Sequence, residues 1–365
     1  MKKLLIIISL LVVVGIVGIF IAREKVRQDF ARPIPYPTPT TTAPEPTHDI
    51  SHVQEIRSLF VPDWTLTDDP IDASVYDTMI YFGITPGKDG IDLKESGATH
   101  IDAFLQAAPS DTKKLLTVRM TDSTTNLAIL DDKDAQKKLI TQAVSIADDK
   151  GFSGIVLDLE ISAIPFDSLT KQINDFTALF YKEAHNQNLS FAITIYGDTF
   201  YRIRPFDMKQ LARTADTIMI MSYDFHKARG NPGPNFPLHG NEIYGYDMTR
   251  MVDDFLRVAP ANKLVVVFGL YGYDWVVNGS GTAAGQGKPL TTQEINKQFV
   301  VSACPYKNCS IDRDSNAEEL EIHYTDNAGR RHTIWSEDME SVAAKKEYLK
   351  QRGITQFSYW AYSYF

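Results

Sequence analysis

The chain has almost no cysteine: Cys304 and Cys309, in the stretch CPYKNC, are the only two in 365 residues. That excludes a scaffold built on many disulfides. With no second ligand pair nearby, a zinc site at the pair is not expected either. A close pair in a polar loop suits a small disulfide loop in an oxidising compartment. Two free thiols are the alternative, because spacing alone does not fix the geometry a disulfide needs. Positive charge is also in short supply. Lys and Arg number 37 against 46 Asp and Glu, a net charge of −9, which argues against nucleic acid as a partner and suits a catalytic domain. No phosphate-cradling glycine loop, metal-ligand cluster or Ser-His-Asp order is present, so neither a metal nor a cofactor is expected. Long apolar runs are missing everywhere but at the start.

There, Lys2 and Lys3 precede an uncharged, largely apolar run from Leu4 to Ala22. At 1.5 Å rise per residue it measures roughly 28 Å, close to the hydrocarbon thickness of a bilayer. It ends in Arg23-Glu24-Lys25 without an A-x-A cleavage pattern. Residues 1–28 therefore read as an uncleaved membrane anchor spanning residues 4–22, with a cleaved signal segment and a secreted protein as the alternative. Residues 29–50 are rich in Pro and Thr (RPIPYPTPTTTAPEPTH from Arg32 to His48) and read as an extended stalk that cannot fold. The expectation is a domain held outside the cytoplasm.

From residue 51 onward, β-rich runs alternate with amphipathic stretches. The runs are Ser58–Val61, Thr78–Gly83, Lys114–Arg119, Gly154–Leu159, Ser190–Ile195, Thr217–Ser222, Lys263–Gly269 and Gln356–Trp360. Helical periodicity marks Ala135–Lys150, Phe166–Asn188, Met248–Val258 and Glu337–Gln351. About eight βα units predict an α/β fold of the TIM-barrel type over residues 51–365, with a doubly wound sheet as runner-up. Residues 276–334 are too long for a simple connection. They predict a small α+β insertion after the seventh strand, with EIHYTD and RRHTIW as a hairpin.

The stretch GFSGIVLDLE, Gly151–Glu160, carries the most chemistry. An apolar strand ends in Asp158 and Glu160, which the i, i+2 spacing puts on one face, roughly 6–7 Å apart. Carboxylates do not belong in a doubly buried strand unless they sit at its end, paired or in use. A structural ion pair is the plain alternative. The sixth strand brings Met221, Tyr223 and Asp224 to the same rim, although Met221 also suits ordinary core. The seventh brings Tyr271 and Trp275, the eighth Trp360 and the second Tyr81. The alternative for each aromatic is barrel packing. An acid-lined, aromatic-walled cleft without metal or nucleophilic triad suits glycoside hydrolysis.

GFSGIVLDLE, IMIMSYDF, VVVFGLYGYDW and GITQFSYWAY, in this order and spacing, resemble strands four, six, seven and eight of family 18 glycoside hydrolases. The segment TIWSEDMESVAAKKEYLKQRGITQFSYW resembles that family's C-terminal end. The likeness spans roughly residues 55–362 and is closest to the spore-germination and cortex-lytic N-acetylglucosaminidase branch. It implies a substrate-assisted retaining mechanism. Glu160 would be the general acid and Asp158 would hold the substrate's acetamido N–H. Tyr223 would bind the acetamido oxygen, Trp360 would floor the subsite and Asp224 would assist. The implied partner is a carbohydrate polymer containing N-acetylglucosamine, peptidoglycan or chitin-like, met by a monomer. The chain departs from the family pattern at Ser153 and Val156, where the family carries acids. That departure keeps open a second reading, a glycan-binding barrel with weak or no turnover.

Overall fold

The computed structural model describes residues 54–67 and 69–365. The expected anchor (1–28) and stalk (29–50) lie outside the described residues. No helix among the described residues is long and apolar enough to cross a membrane.

Eight parallel strands close on themselves: β1 (Ile56–Pro62), β2 (Thr78–Ile84), β3 (Lys113–Met120), β4 (Gly154–Leu159), β5 (Ser190–Tyr196), β6 (Thr217–Ser222), β7 (Leu264–Gly269) and β8 (Gln356–Trp360). Each pairs with its sequence neighbours, and β8 closes on β1. The doubly wound alternative is thereby excluded, since such a sheet stays open.

Strand alternation sorts the core into two layers. Leu59, Val61, Met79, Tyr81, Ile155 and Leu157 face outward and pack under the helices. Phe60, Ile80, Phe82, Val156, Ala192, Met219, Val265 and Val267 fill the barrel interior. Helix Lys133–Asp149 starts at Asp132, whose carboxylate accepts from the Asp134 and Ala135 amides. Helix Asp167–Asn186 buries Leu169, Ile173, Phe176, Phe180 and Ala184 on one stripe. Its N-cap is Phe166, which offers no side-chain cap.

The insertion is a five-stranded antiparallel sheet between β7 and β8. Its order is Lys288–Thr291, Tyr271–Val277, Arg331–Ser336, Leu320–Thr325, Lys307–Arg313. The expected hairpin is there, with Ile322 opposite Ile334. The insertion begins earlier than expected, however. The barrel strand stops at Gly269, and Tyr271 already opens the new sheet. Cys304 and Cys309 are joined in a disulfide, Cα atoms 6.4 Å apart, beside a small core of Leu290, Ile295, Phe299 and Ile322.

Candidate active site

Asp158 is the last inward-facing residue of β4, and Glu160 follows the strand on the same side. Both line a cleft of about 300 Å³ at the C-terminal mouth of the barrel, at the lower end of the range for small-molecule pockets. The β4–β5 register explains their partners. Leu157 lies opposite Ile193, so Asp158 falls beside Thr194 and Glu160 beside Tyr196. The Thr194 hydroxyl donates to Asp158 Oδ1, and the Tyr196 hydroxyl donates to Glu160 Oε2 at 2.7 Å. The other oxygen of Glu160 is left out of that bond. Tyr196 is itself held, with the Arg204 guanidinium 3.8 Å from its ring centroid and Arg204 paired to Asp198 at 2.6 Å.

Asp158 is 3% exposed. Burial, with the Glu160 charge adding to it, pushes its carboxyl up from 3.8 to about 7, and the Thr194 hydrogen bond and Arg119 pull the other way. Burial therefore presses Asp158 toward its protonated form.

The opposite side of the cleft comes from the end of β6. Met221 lines it from the strand, and Tyr223 and Asp224 begin the loop. Burial and the charges of Asp158, Glu160 and Asp224 hold the Tyr223 hydroxyl well above 10, so it stays a neutral donor. Its ring meets Tyr271 edge to face, centroids 6.0 Å apart. A Cβ on Gly269 would stand 2.7 Å from Tyr223 Cβ and 2.8 Å from Tyr271 Cε1, so this close approach requires glycine. Asp224 has left-handed backbone, φ 57°, and its amide donates to Asn235 Oδ1 at 2.7 Å. Its carboxylate accepts from Tyr271 and Tyr273 at 2.5 and 2.8 Å.

The third wall is aromatic. Trp360 stands 4.7 Å from Phe82 and 5.7 Å from Phe60, and Trp64, half exposed on the turn after β1, completes the cluster at 6.3 Å. Among the described residues, no group of three His, Cys, Asp or Glu is placed to hold a metal.

Seven of the nine expected site residues therefore meet in one cleft. The two exceptions have clear causes. Tyr81 is fully buried on the outer face of β2, where its hydroxyl donates to Gly97 O at 2.7 Å and its ring packs on Phe104. The alternation that turns it outward turns Phe82 inward. Trp275 is fully buried in the insertion against Ala317 and Trp335, its indole N–H donating to Ala228 O at 3.2 Å. It belongs to the insertion sheet, not to β7. Sequence reading missed Thr194, Tyr196 and Arg119. Only the strand register could have found them: each faces the interior at the end of a strand beside β4.

Ser153 and Val156 also fall into place. Ser153 is exposed at the other end of the barrel, its amide on Lys114 O at 2.8 Å. Seven residues of strand put it roughly 23 Å from Glu160. Only Val156, fully buried in the barrel interior beneath Asp158, stands next to the carboxylate pair. The hydrogen bond it cannot offer to Asp158 comes from Thr194 instead.

A closed (β/α)8 barrel with paired carboxylates and aromatic walls at its C-terminal mouth is the architecture of a glycosidase. The chain belongs to the family described as Glycosyl hydrolases family 18, whose model matches residues 78–364. It is 27% identical to the Cortical fragment-lytic enzyme of Bacillus subtilis (strain 168) over 244 residues, 64% of this chain and 51% of that one. It is 26% identical to Chitotriosidase-1 of Mus musculus, over 62% of this chain and 52% of that one. The chain spans about half the length of these curated relatives. Among solved structures, the class V chitinase of Nicotiana tobaccum superposes with a TM-score of 0.71 at 17% identity, covering 84% of this chain and 94% of that one. The Bacillus cereus spore cortex-lytic enzyme SleL gives 0.65 at 20%, covering 85% and 71%.

Proposed function

We propose that this chain hydrolyses β-1,4-linked polymers containing N-acetylglucosamine, with retention and with the substrate's own acetamido group as nucleophile. The observation that carries the reading is the convergence of Glu160, Asp158 and Tyr223 on one aromatic-walled cleft. In this reading Glu160 gives its proton to the glycosidic oxygen as the bond to the anomeric carbon breaks. The acetamido oxygen, held by the Tyr223 hydroxyl, closes on that carbon. Asp158 accepts from the acetamido N–H and offsets the positive charge of the resulting oxazolinium ring. Glu160 then takes a proton from the water that reopens it. The usual two-carboxylate scheme needs an enzyme nucleophile or a base on the far side of the sugar, and substrate-assisted families are its exception. Trp360 supplies the apolar floor, and Asp224 fixes Tyr271 beside Tyr223.

The hydrogen bond from Thr194 to Asp158 supports turnover over mere binding, because it replaces the partner lost at Val156. The reading places the domain, as a monomer, outside the cytoplasm on its anchor and stalk. The test is release of reducing ends from chito-oligosaccharides and from peptidoglycan by the wild type and by Glu160→Gln. Loss of general acid catalysis is expected to lower turnover by roughly 10²–10⁴-fold. Equal release by both proteins removes the catalytic assignment. Binding by the wild type without release makes the chain a glycan-binding barrel.

A further inference from the structure

Among the described residues lining the cleft, Arg119 is the single cation, set among Asp158, Glu160 and Asp224. It faces the interior from β3, in register with Asp158 on β4. Its position is fixed before any ligand arrives. The guanidinium lies 5.4 Å from the Trp64 ring centroid and 5.6 Å from that of Phe82, and Nε donates to Thr85 Oγ1 at 3.0 Å. The two terminal nitrogens donate no hydrogen bond within the described residues. Asp63 stands off at 3.9 Å from Nη1, and its other carboxylate oxygen accepts from Ser96 at 2.9 Å. The side chain is 26% exposed. Arg119 thus offers a planar, pre-aimed pair of N–H donors at the edge of the sugar site, the geometry that suits a carboxylate.

A glycan of N-acetylglucosamine alone has no anion to meet them. The alternating glycan of peptidoglycan has one on every second sugar. The lactyl ether of N-acetylmuramic acid ends in a carboxyl, which is either free or extended by a peptide that carries carboxylates of its own. We infer that Arg119 selects glycans whose sugar next to the cleaved N-acetylglucosamine carries a carboxylate arm. The inference rests on the hydrolase reading above and names the substrate class of that same site. In an acid-lined cleft such a substrate is repelled unless a cation answers it, and Arg119 is placed to do so.

Three substrates test it: peptide-free peptidoglycan strands, the same strands with their peptides, and neutral chito-oligosaccharides. Arg119→Gln is expected to lower kcat/KM on the carboxylate-bearing strands more than on chito-oligosaccharides by a factor on the order of tenfold to a hundredfold, the worth of a charge-assisted hydrogen bond. Arg119→Lys, which keeps the charge and loses the fork, is expected to fall between. A loss confined to peptide-free strands assigns the free lactyl carboxylate, and one confined to peptide-bearing strands assigns the peptide. Equal loss on all three substrates would make Arg119 a countercharge for Asp158 and overturn the inference, as would no loss at all. Wild-type protein that cleaves none of them defeats the hydrolase reading, yet calorimetry still decides the inference. A wild-type preference for peptidoglycan fragments over chito-oligosaccharides that Arg119→Gln removes supports it. Equal affinities overturn it.

Discussion

Asp158→Asn is expected to lower turnover on chito-oligosaccharides by about 10²–10³-fold, the usual loss when one charge-stabilising group is removed. The amide keeps the shape of the side chain and can still accept, but it brings no negative charge to the oxazolinium ring. The pH profile gives a second reading. In the proposed mechanism the carboxyl pair at the end of β4 works with one proton and one charge. The group that burial raises to about 7 is Asp158, so wild-type activity is expected to fall as pH rises through about 7 and the pair loses its last proton. That limb should shift in Asp158→Asn, because the pair that shares the proton is broken. Thr194→Val removes the hydrogen bond that favours the ionised form, and should move the limb to higher pH. Stability runs the other way. A buried carboxyl with a raised pKa stabilises the fold only while protonated, so its contribution is full below the unfolded value near 3.8 and is lost as pH rises to about 7. Asp158→Asn never ionises. Its melting temperature should overtake the wild type's across that window and stay above it at pH 8. A variant less active and no more stable at pH 8 would show that Asp158 is not held against its charge.

The barrel was legible in the sequence because each strand is an apolar run and four of the helices carry a 3.6-residue stripe; the short helices Ile101–Ala107 and Ser123–Asp131 were not legible. All eight strands fall where those runs lie. The carboxylate pair was legible because carboxylates at the end of an apolar strand are chemically out of place. What failed was the step from strand to face. Tyr81 and Phe82 are adjacent, and one points at the helices while the other points at the cleft. Only the register of the closed barrel decides which. Trp275 failed for another reason. Leu270 and Tyr271 look like a continuation of β7, yet Leu270 is where the chain leaves the barrel for a second sheet. Thr194 and Tyr196 are ordinary strand residues by type. They become site residues only through alignment with Asp158 and Glu160 on the neighbouring strand.

The least legible feature is the one whose loss is expected to matter most for folding. Lys345, on helix Met339–Gln351, is fully buried and reaches Glu319 at 2.7 Å and both oxygens of Glu337 at 2.9 Å. Glu319 in turn accepts the backbone amides of Asn235 and Phe236, and Asn235 holds the Asp224 amide and donates to Gly269 O and Tyr271 O. One buried cation therefore ties the insertion, the last helix and the loop carrying Tyr223 and Asp224 into a single unit. Lys345→Met is expected to destabilise the protein by about 3–5 kcal/mol, because it strands Glu319 and Glu337 in a dry interior where burial and the Glu319 charge already push the Glu337 carboxyl up to about 8. Denaturant unfolding checks the figure. Adding Glu337→Gln to Lys345→Met should recover part of the loss, since it removes one stranded carboxyl while the Asn235 and Phe236 amides still satisfy Glu319. Glu319→Gln should behave differently. Lys345 and Glu337 remain a balanced pair, so most of the stability survives. A carboxamide, however, has one acceptor oxygen for the two loop amides that Glu319 serves with two. The loop then loosens under Tyr223, and turnover per folded molecule is expected to drop while Lys345→Met loses chiefly folded molecules. A Lys345→Met protein as stable as the wild type would show that the triad contributes nothing the surrounding packing does not already supply.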